Sequence, residues 1–126
     1  MSGAIGRLLI IDEPWISLIL SGRKTWEMRS RATSVRGRIG LIRKGSGLVV
    51  GDAVLTGVLP PLTAAQLRAG AGSHMIPDET LDRLGGKWNV PWVLSEARAW
   101  GTPVPYDHPR GAVIWVLPPG GIVFPA

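Results

Sequence analysis

Residues 22–29, Gly-Arg-Lys-Thr-Trp-Glu-Met-Arg, bring a lysine, a glutamate and an arginine within six positions. Side chains alternate between the two faces of a β-strand, so Thr25, Glu27 and Arg29 share one face if a strand begins at Thr25. A partly buried lysine can act as a general base, and a nearby carboxylate can orient it or position a water. The spacing therefore predicts a polar site on Lys24, Glu27 and Arg29, with Lys24 and Glu27 as the catalytic candidates.

Each of these residues also has a purely structural interpretation. Lys24 and Glu27 can form a surface ion pair, which contributes little to stability. The planar guanidinium of Arg29 can grip a phosphate or stack on a base, or it can form a salt bridge with Glu27. Trp26 and Met28 lie on the opposite face of the strand and are predicted to enter the core.

Further ligand-binding candidates lie on both sides of the octapeptide. An aromatic candidate for the wall of a cleft precedes it, a hydroxyl within it follows Lys24, two cations after it form an electrostatic rim, and a hydroxyl lies in the glycine turn 45–47: these are Trp15, Thr25, Arg31, Lys44 and Ser46. A glycine turn often serves only the backbone conformation. The proline-bounded loop 105–109 and its flank hold three more candidates, which either reach over a ligand or are exposed tips of a stiff turn: Tyr106, His108 and Arg110.

Composition restricts the possible classes of protein. The chain has 126 residues, which is the size of one domain, 1–126, and no cysteine, which excludes disulfides and thiolate metal sites. The net charge is +5, and the segment 23–44 holds eight Lys/Arg against one acidic residue, Glu27. This surplus favours RNA or a nucleotide as the partner over a face that only keeps the protein in solution. The two histidines, His74 and His108, are far apart in sequence, so no metal site is predicted.

The pattern of apolar residues predicts the elements that position these groups. Leu8–Ile11 is a short strand, Asp12 is placed to cap a helix that ends at Gly22, and 69–73 is a flexible link. Later strands are predicted at 25–30, 39–42, 52–59, 92–97 and 112–117, helices at 63–68 and 77–84, and a tail from Pro118 that covers a sheet edge or frays. Many short strands with a few helices favour a curled sheet of the α+β, mainly β class.

The motif Gly-x-Lys-x-x-Glu-x-Arg resembles the signature of the ASCH domains, small relatives of the PUA RNA-binding fold. Blocks in the same order extend the resemblance over most of the chain: 12–21, 29–31, 36–42, 51–57, 92–95, 103–106 and 111–115. The resemblance implies a PUA-like β-barrel with a few short helices packed around it and a cleft beside the first helix.

The resemblance also implies a function, with alternatives. The first is the binding of RNA or of a plain or modified nucleoside or nucleotide in a basic cleft. The second is a metal-independent hydrolase that removes acyl groups from N4 of cytidine, or cleaves RNA, with Lys24 as the base. The amidohydrolase branch carries a threonine three positions after the lysine, where this chain has Glu27, so a water activated by Lys24 and Glu27 replaces a threonine nucleophile. No cofactor and no membrane segment are predicted, and a cytoplasmic location is expected.

Overall fold

The computed structural model describes residues 4–118 and 122–123, and its main feature is a six-stranded sheet. The strands run in the order β3-β6-β5-β4-β2-β7, and the β2–β4 pair is parallel while the other pairs are antiparallel. A separate antiparallel pair joins β1 to β8. The strands are β1 Ala4–Ile5, β2 Leu8–Ile11, β3 Trp26–Arg29, β4 Gly37–Arg43, β5 Leu48–Val58, β6 Val90–Pro105, β7 Trp115–Val116 and β8 Ile122–Val123.

Two contacts show that the sheet curls into a barrel-like shape. Trp92 on β6 stacks on Trp115 of β7, with ring centroids 5.7 Å apart, although four strand-to-strand steps separate β6 from β7 in the sheet. Arg29 on the edge strand β3 donates from Nη2 to the carbonyl oxygen of Ile10 on β2 at 2.8 Å. The predicted α+β, mainly β fold with a barrel-like sheet is therefore confirmed.

In the described part of the chain, four short helices accompany the sheet: α1 Trp15–Leu20, α2 Ala64–Ala69, α3 Ala71–His74 and α4 Asp78–Leu84. The expectation that Asp12 caps α1 was wrong, because the Glu13 carboxylate accepts the N–H of Ser17 instead. Gly22 follows the end of α1 with a φ of 82°, which glycine adopts without strain. No helix in the described ranges is long and apolar enough to cross a membrane.

Other sequence predictions of the elements needed correction. The link predicted to be flexible at 69–73 contains most of α3, and the last predicted strand, 112–117, shrinks to Trp115–Val116. The strand predicted at 92–97 extends to Val90–Pro105. Of the tail after Pro118, Ile122–Val123 pairs with β1, and the remainder lies outside the described residues.

Apolar side chains fill both sides of the sheet. Strand β2 is buried along its whole length, with Leu9 and Ile11 in one core and Leu8 and Ile10 in another. A Cβ at Gly51 would lie 2.3 Å from the carbonyl oxygen of Arg98 and 2.5 Å from a methyl of Leu20, so only glycine lets β6 and α1 approach here. A third core, made of Met28, Leu67, Ile76 and Leu81, packs the helices α2 to α4 against β3.

Candidate functional site

A cleft of about 730 Å³ opens where α1, β3, the α4 region and two loops meet. Its polar lining includes the three charged residues of the octapeptide, and its apolar and aromatic lining is spread over β2, α1, β3, residues 76–88 and residues 106–113. The residues that line it are Ile10, Asp12, Trp15, Lys24, Glu27, Met28, Arg29, Lys44, Gly45, Gly47, Ile76, Thr80, Leu84, Trp88, Tyr106, His108, Ala112 and Val113. The predicted cleft beside the first helix is therefore present, and Lys24, Glu27 and Arg29 all border it.

Lys24 is buried in the wall of this cleft, with 2% of its surface exposed. The chain turns at the end of α1, where the N–H groups of Arg23 and Lys24 both donate to the carbonyl oxygen of Leu18. The Lys24 ammonium then donates to the carbonyl oxygen of His74 at 2.5 Å and lies 5.1 Å from the ring centroid of Trp15. Within the described ranges no carboxylate oxygen lies within 4.0 Å of the ammonium.

Burial governs the protonation of Lys24. Removal from water lowers the pKa of Lys24 from 10.5 to about 8, while the charge of Glu27 acts to raise it and that of Arg29 to lower it. An amine with a pKa of about 8 is partly neutral near physiological pH, so it can accept a proton from a bound molecule. The surface ion pair between Lys24 and Glu27 that was one structural interpretation does not form.

Glu27 is paired with Arg29 instead. Oε2 of Glu27 accepts from Nη2 of Arg29 at 2.8 Å and from Nε at 3.1 Å. The same guanidinium bonds Ile10 and lies 5.4 Å from the ring centroid of Trp92. The salt bridge that was the alternative for Arg29 is thus present, and Arg29 joins β3 to β2 as well as bordering the cleft. The face of β3 that holds Glu27 is as buried as the face that holds Met28.

Four of the remaining predicted residues lie at the cleft. Trp15 forms an aromatic part of its wall. Lys44 is exposed, with its ammonium 3.9 Å from the carboxylate of Asp12. Tyr106 and His108 are joined by a hydrogen bond of 2.7 Å between the hydroxyl and Nδ1. Burial raises the pKa of the Tyr106 hydroxyl above 10.0.

Four other predicted residues do not line the cleft. Thr25 is exposed and its N–H donates to the carbonyl oxygen of Ser73, while the carbonyl oxygen of Arg31 accepts from the indole of Trp92. Ser46 closes its own turn: its hydroxyl donates to the carbonyl oxygen of Arg43 and accepts the N–H of Leu48. Arg110 is exposed beyond the loop. Their roles in ligand binding stay predictions.

The basic segment is less available to a polyanion than its composition indicates. Acidic residues distant in sequence, or neighbouring carbonyl oxygens, engage several of its arginines. Glu13 accepts from Arg43, Asp52 accepts from Arg38 at 2.6 Å, and the guanidinium of Arg36 donates to the carbonyl oxygens of its own loop. Several of the eight cations in this segment are therefore engaged by groups of the protein itself.

Sequence reasoning missed two contributors to the site. His74, 0% exposed, supplies the acceptor for Lys24. Trp88 lines the cleft together with Leu84, Thr80 and Ile76. The spacing of four residues between members of this set is typical of one helical face and was a signal for this part of the lining.

Comparisons with known proteins agree with this fold. The family model described as ASCH domain matches residues 9–104, about three quarters of the chain. No curated protein matches the sequence significantly.

Three crystal structures of an ASCH protein from Zymomonas mobilis are similar to this chain. One has 17% identity and a TM-score of 0.61, covering 74% of this chain and 68% of the other. A serine-to-alanine mutant has 17% identity and a TM-score of 0.65, covering 88% and 86%. A tyrosine-to-phenylalanine mutant has 19% identity and a TM-score of 0.62, covering 79% and 74%. Because the family model spans the strands and the octapeptide that build the cleft, this chain belongs to the ASCH domain family.

Proposed function

We propose that the cleft binds a single nucleobase, carried by a plain or modified nucleoside or nucleotide or by an unstacked position of RNA. The observation that carries this proposal is a cleft lined by a buried lysine, a buried carboxylate and a partly buried guanidinium, with the rest of its lining largely apolar and aromatic. Small-molecule sites are typically apolar clefts of about 300–1,000 Å³ with a few polar groups that fix orientation. A base offers matching surfaces, because its faces are apolar and its edge carries donors and acceptors.

Glu27 is the group that would read the edge of the base. All hydrogen bonds that the described residues make to its carboxylate end on Oε2, which leaves Oε1 as an acceptor. The exocyclic amine of cytosine is a natural donor to such an oxygen. Trp15 and Trp88 supply aromatic surface beside it, and stacking of a base on such a ring typically adds about 1–3 kcal/mol.

The charge distribution favours one base over a long track of phosphates. Arg29, Arg38 and Arg43 have carboxylate partners within the protein, so fewer cations remain to displace counterions from a polyanion. Binding of a short single-stranded RNA should therefore depend weakly on salt. The slope of log K against log salt concentration should correspond to about one or two phosphate contacts.

Calorimetric titration tests this proposal with cytidine, uridine and N4-acetylcytidine against the wild type and Glu27→Gln. We expect the wild type to prefer the cytidines, and Glu27→Gln to bind them at least about tenfold more weakly, since one lost base contact costs about 1–3 kcal/mol. The matched control is Glu79→Gln, because Glu79 is an exposed carboxylate outside the lining of the cleft.

Two results would contradict nucleobase binding. One is the absence of heat for every nucleoside and for single-stranded RNA at low salt. The other is equal weakening by the substitutions at Glu27 and Glu79, since the exposed carboxylate has no route to the ligand.

Hydrolysis of an N4-acylated cytidine is the second candidate, and the lowered pKa of Lys24 favours it. Lys24 would accept a proton from a water that attacks the acyl carbon. The bond from that carbon to N4 would then break, and the Lys24 ammonium would return the proton to the leaving N4 amine. We expect acetate release from N4-acetylcytidine by the wild type and none by Lys24→Met. Binding of the nucleoside without turnover would leave a binding module, which is the first proposal alone.

A further inference from the structure

We propose that His74 is a positioning residue. Its imidazole closes a side-chain-to-backbone turn and so fixes the carbonyl group that accepts a hydrogen bond from the Lys24 ammonium. This inference builds on the role proposed for Lys24 in the cleft. It concerns a residue that does not line the cleft itself.

Both ring nitrogens of the buried His74 are occupied. The N–H of Ile76 donates to Nδ1 at 2.9 Å, so Nδ1 carries no proton, and Nε2 donates to the carbonyl oxygen of Leu67 at 2.6 Å. The imidazole is thus neutral, with its single proton on Nε2. Burial is the main reason that the pKa of His74 is lowered below 6.5, which agrees with that form.

The bond from Ile76 to Nδ1 has the geometry of an Asx turn, in which a side-chain acceptor bonds the N–H two residues later. It encloses the peptide between His74 and Met75, and Met75 has a left-handed φ of 59°. The carbonyl oxygen of that same peptide accepts the Lys24 ammonium at 2.5 Å. Closing the turn therefore sets the direction of the acceptor.

The segment that carries this turn is docked tightly on β3. The carbonyl oxygen of Ser73 accepts the N–H of Thr25 at 2.9 Å, one residue after Lys24. A Cβ at Gly70 would lie 2.8 Å from the ring of Trp26, so the helices approach the strand as closely as glycine allows. Because this packing leaves little free space, a change in the turn at His74 should also shift the position of Lys24.

Protonation of His74 would oppose this arrangement. A proton on Nδ1 would meet the N–H of Ile76, and the turn would lose its acceptor. Two charged groups act on the imidazole: Lys24, which disfavours its protonation, and Asp78, which favours it. The placement of Lys24 should therefore be lost as pH falls from 6.5 through the pKa of His74.

Two substitutions distinguish positioning from filling of space. Asparagine is smaller than histidine, but its Oδ1 occupies the place of Nδ1 in an Asx turn. Phenylalanine matches the ring in size but has no acceptor. We expect His74→Asn to keep the pKa of Lys24 near that of the wild type. We expect His74→Phe to raise it by about one unit or more toward 10.5, because the flexible ammonium moves into the cleft and regains water.

The measurement is the titration of the 13Cε resonance of Lys24 in the free protein, with Lys44 and Lys87 as internal references. A pKa of Lys24 that is unchanged or lower in His74→Phe would overturn the proposal. So would a larger change of that pKa in His74→Asn than in His74→Phe, since a space-filling role predicts that the smaller side chain has the larger effect. Because no ligand is added, this result is independent of whether nucleosides bind.

A second measurement uses the wild type and avoids any loss of folding in the variants. The amide resonances of Ile76 and Thr25 are followed between about pH 7 and 4 beside the ring resonance of His74. We expect all three to share one midpoint below 6.5. A Thr25 amide that does not move at the midpoint of His74 would overturn the coupling.

Discussion

Among the charged groups that the described residues bury, Asp52 and Lys24 have opposite kinds of partner. Asp52 on β5 is 0% exposed and accepts from Arg38 at 2.6 Å, from Arg98 at 2.9 Å and from the indole of Trp100 at 2.6 Å. Lys24 is 2% exposed and, within the described residues, donates one hydrogen bond, to a carbonyl oxygen. One charge is neutralised by two cations, and the other is not paired with a carboxylate.

The difference separates a charge that is neutralised inside the fold from one that burial pushes toward the neutral form. A buried carboxylate that accepts from two cations joins the strands that carry them. A buried cation without a carboxylate partner is costly, and its pKa moves toward neutrality. The cleft lies beside Lys24, whereas Asp52 is not among the residues that line it.

Replacement of the neutralised charge should have the largest effect on stability. Asp52→Asn keeps the shape but removes the charge that accepts from two arginines and an indole, so we expect the free energy of unfolding to fall by about 3–5 kcal/mol. Urea denaturation measures this, with the exposed Asp107→Asn as the matched control. A loss below about 1 kcal/mol would mean that Asp52 is no more important to the fold than a surface charge.

Replacement of the unpaired charge should act in the other direction. Lowering the pKa of Lys24 from 10.5 to about 8 costs about 3 kcal/mol of folding free energy at neutral pH. Lys24→Met removes that cost but leaves the carbonyl oxygen of His74 without its donor, for about 1 kcal/mol. We expect a net gain of about 2 kcal/mol together with loss of the proposed function.

The same shift predicts a pH dependence of stability. Between about pH 8 and 10.5 the unfolded chain binds a proton at Lys24 that the folded protein does not. Burial of Lys24 therefore does not reduce the free energy of unfolding above about pH 10.5, where the amine is neutral in both states. As pH falls from 10.5 through about 8, stability is lost. The difference in stability between Lys24→Met and the wild type should shrink as pH rises through this range, and a constant difference would contradict the buried, unpaired state.

Arg29 tests the intermediate case, a charge that serves both the fold and the cleft. Arg29→Lys keeps the charge but loses the planar fork that contacts Glu27 and Ile10 together, so we expect a loss of about 1–2 kcal/mol in urea denaturation. Arg36→Lys is the control, because Arg36 is exposed and, in the part of the chain that the structure describes, its hydrogen bonds stay within its own loop. Equal losses of stability in the two variants would show that the contacts of Arg29 do not help to close the barrel-like sheet.

The sequence analysis succeeded where the signal was local. The order of the predicted strands along the chain, the end of α1 just before Gly22 and the grouping of Lys24, Glu27 and Arg29 all follow from neighbours in sequence. It failed where the partner is distant. The acceptor for Lys24 is His74, fifty positions later, at the end of a segment whose glycines indicated flexibility rather than a helix.

The chemical groups and the local turns of the octapeptide were already determined by the order of its residues, since strand periodicity and the preference of glycine for positive φ act over a few positions. Only the tertiary structure decided which of these charges is neutralised. Arg29 donates to the carboxylate of Glu27 and to the carbonyl oxygen of Ile10. Lys24 donates to a backbone carbonyl and lies near the ring of Trp15. The physical reason is that ion pairing and desolvation depend on distances between atoms that only the curled sheet and its docked helices bring together.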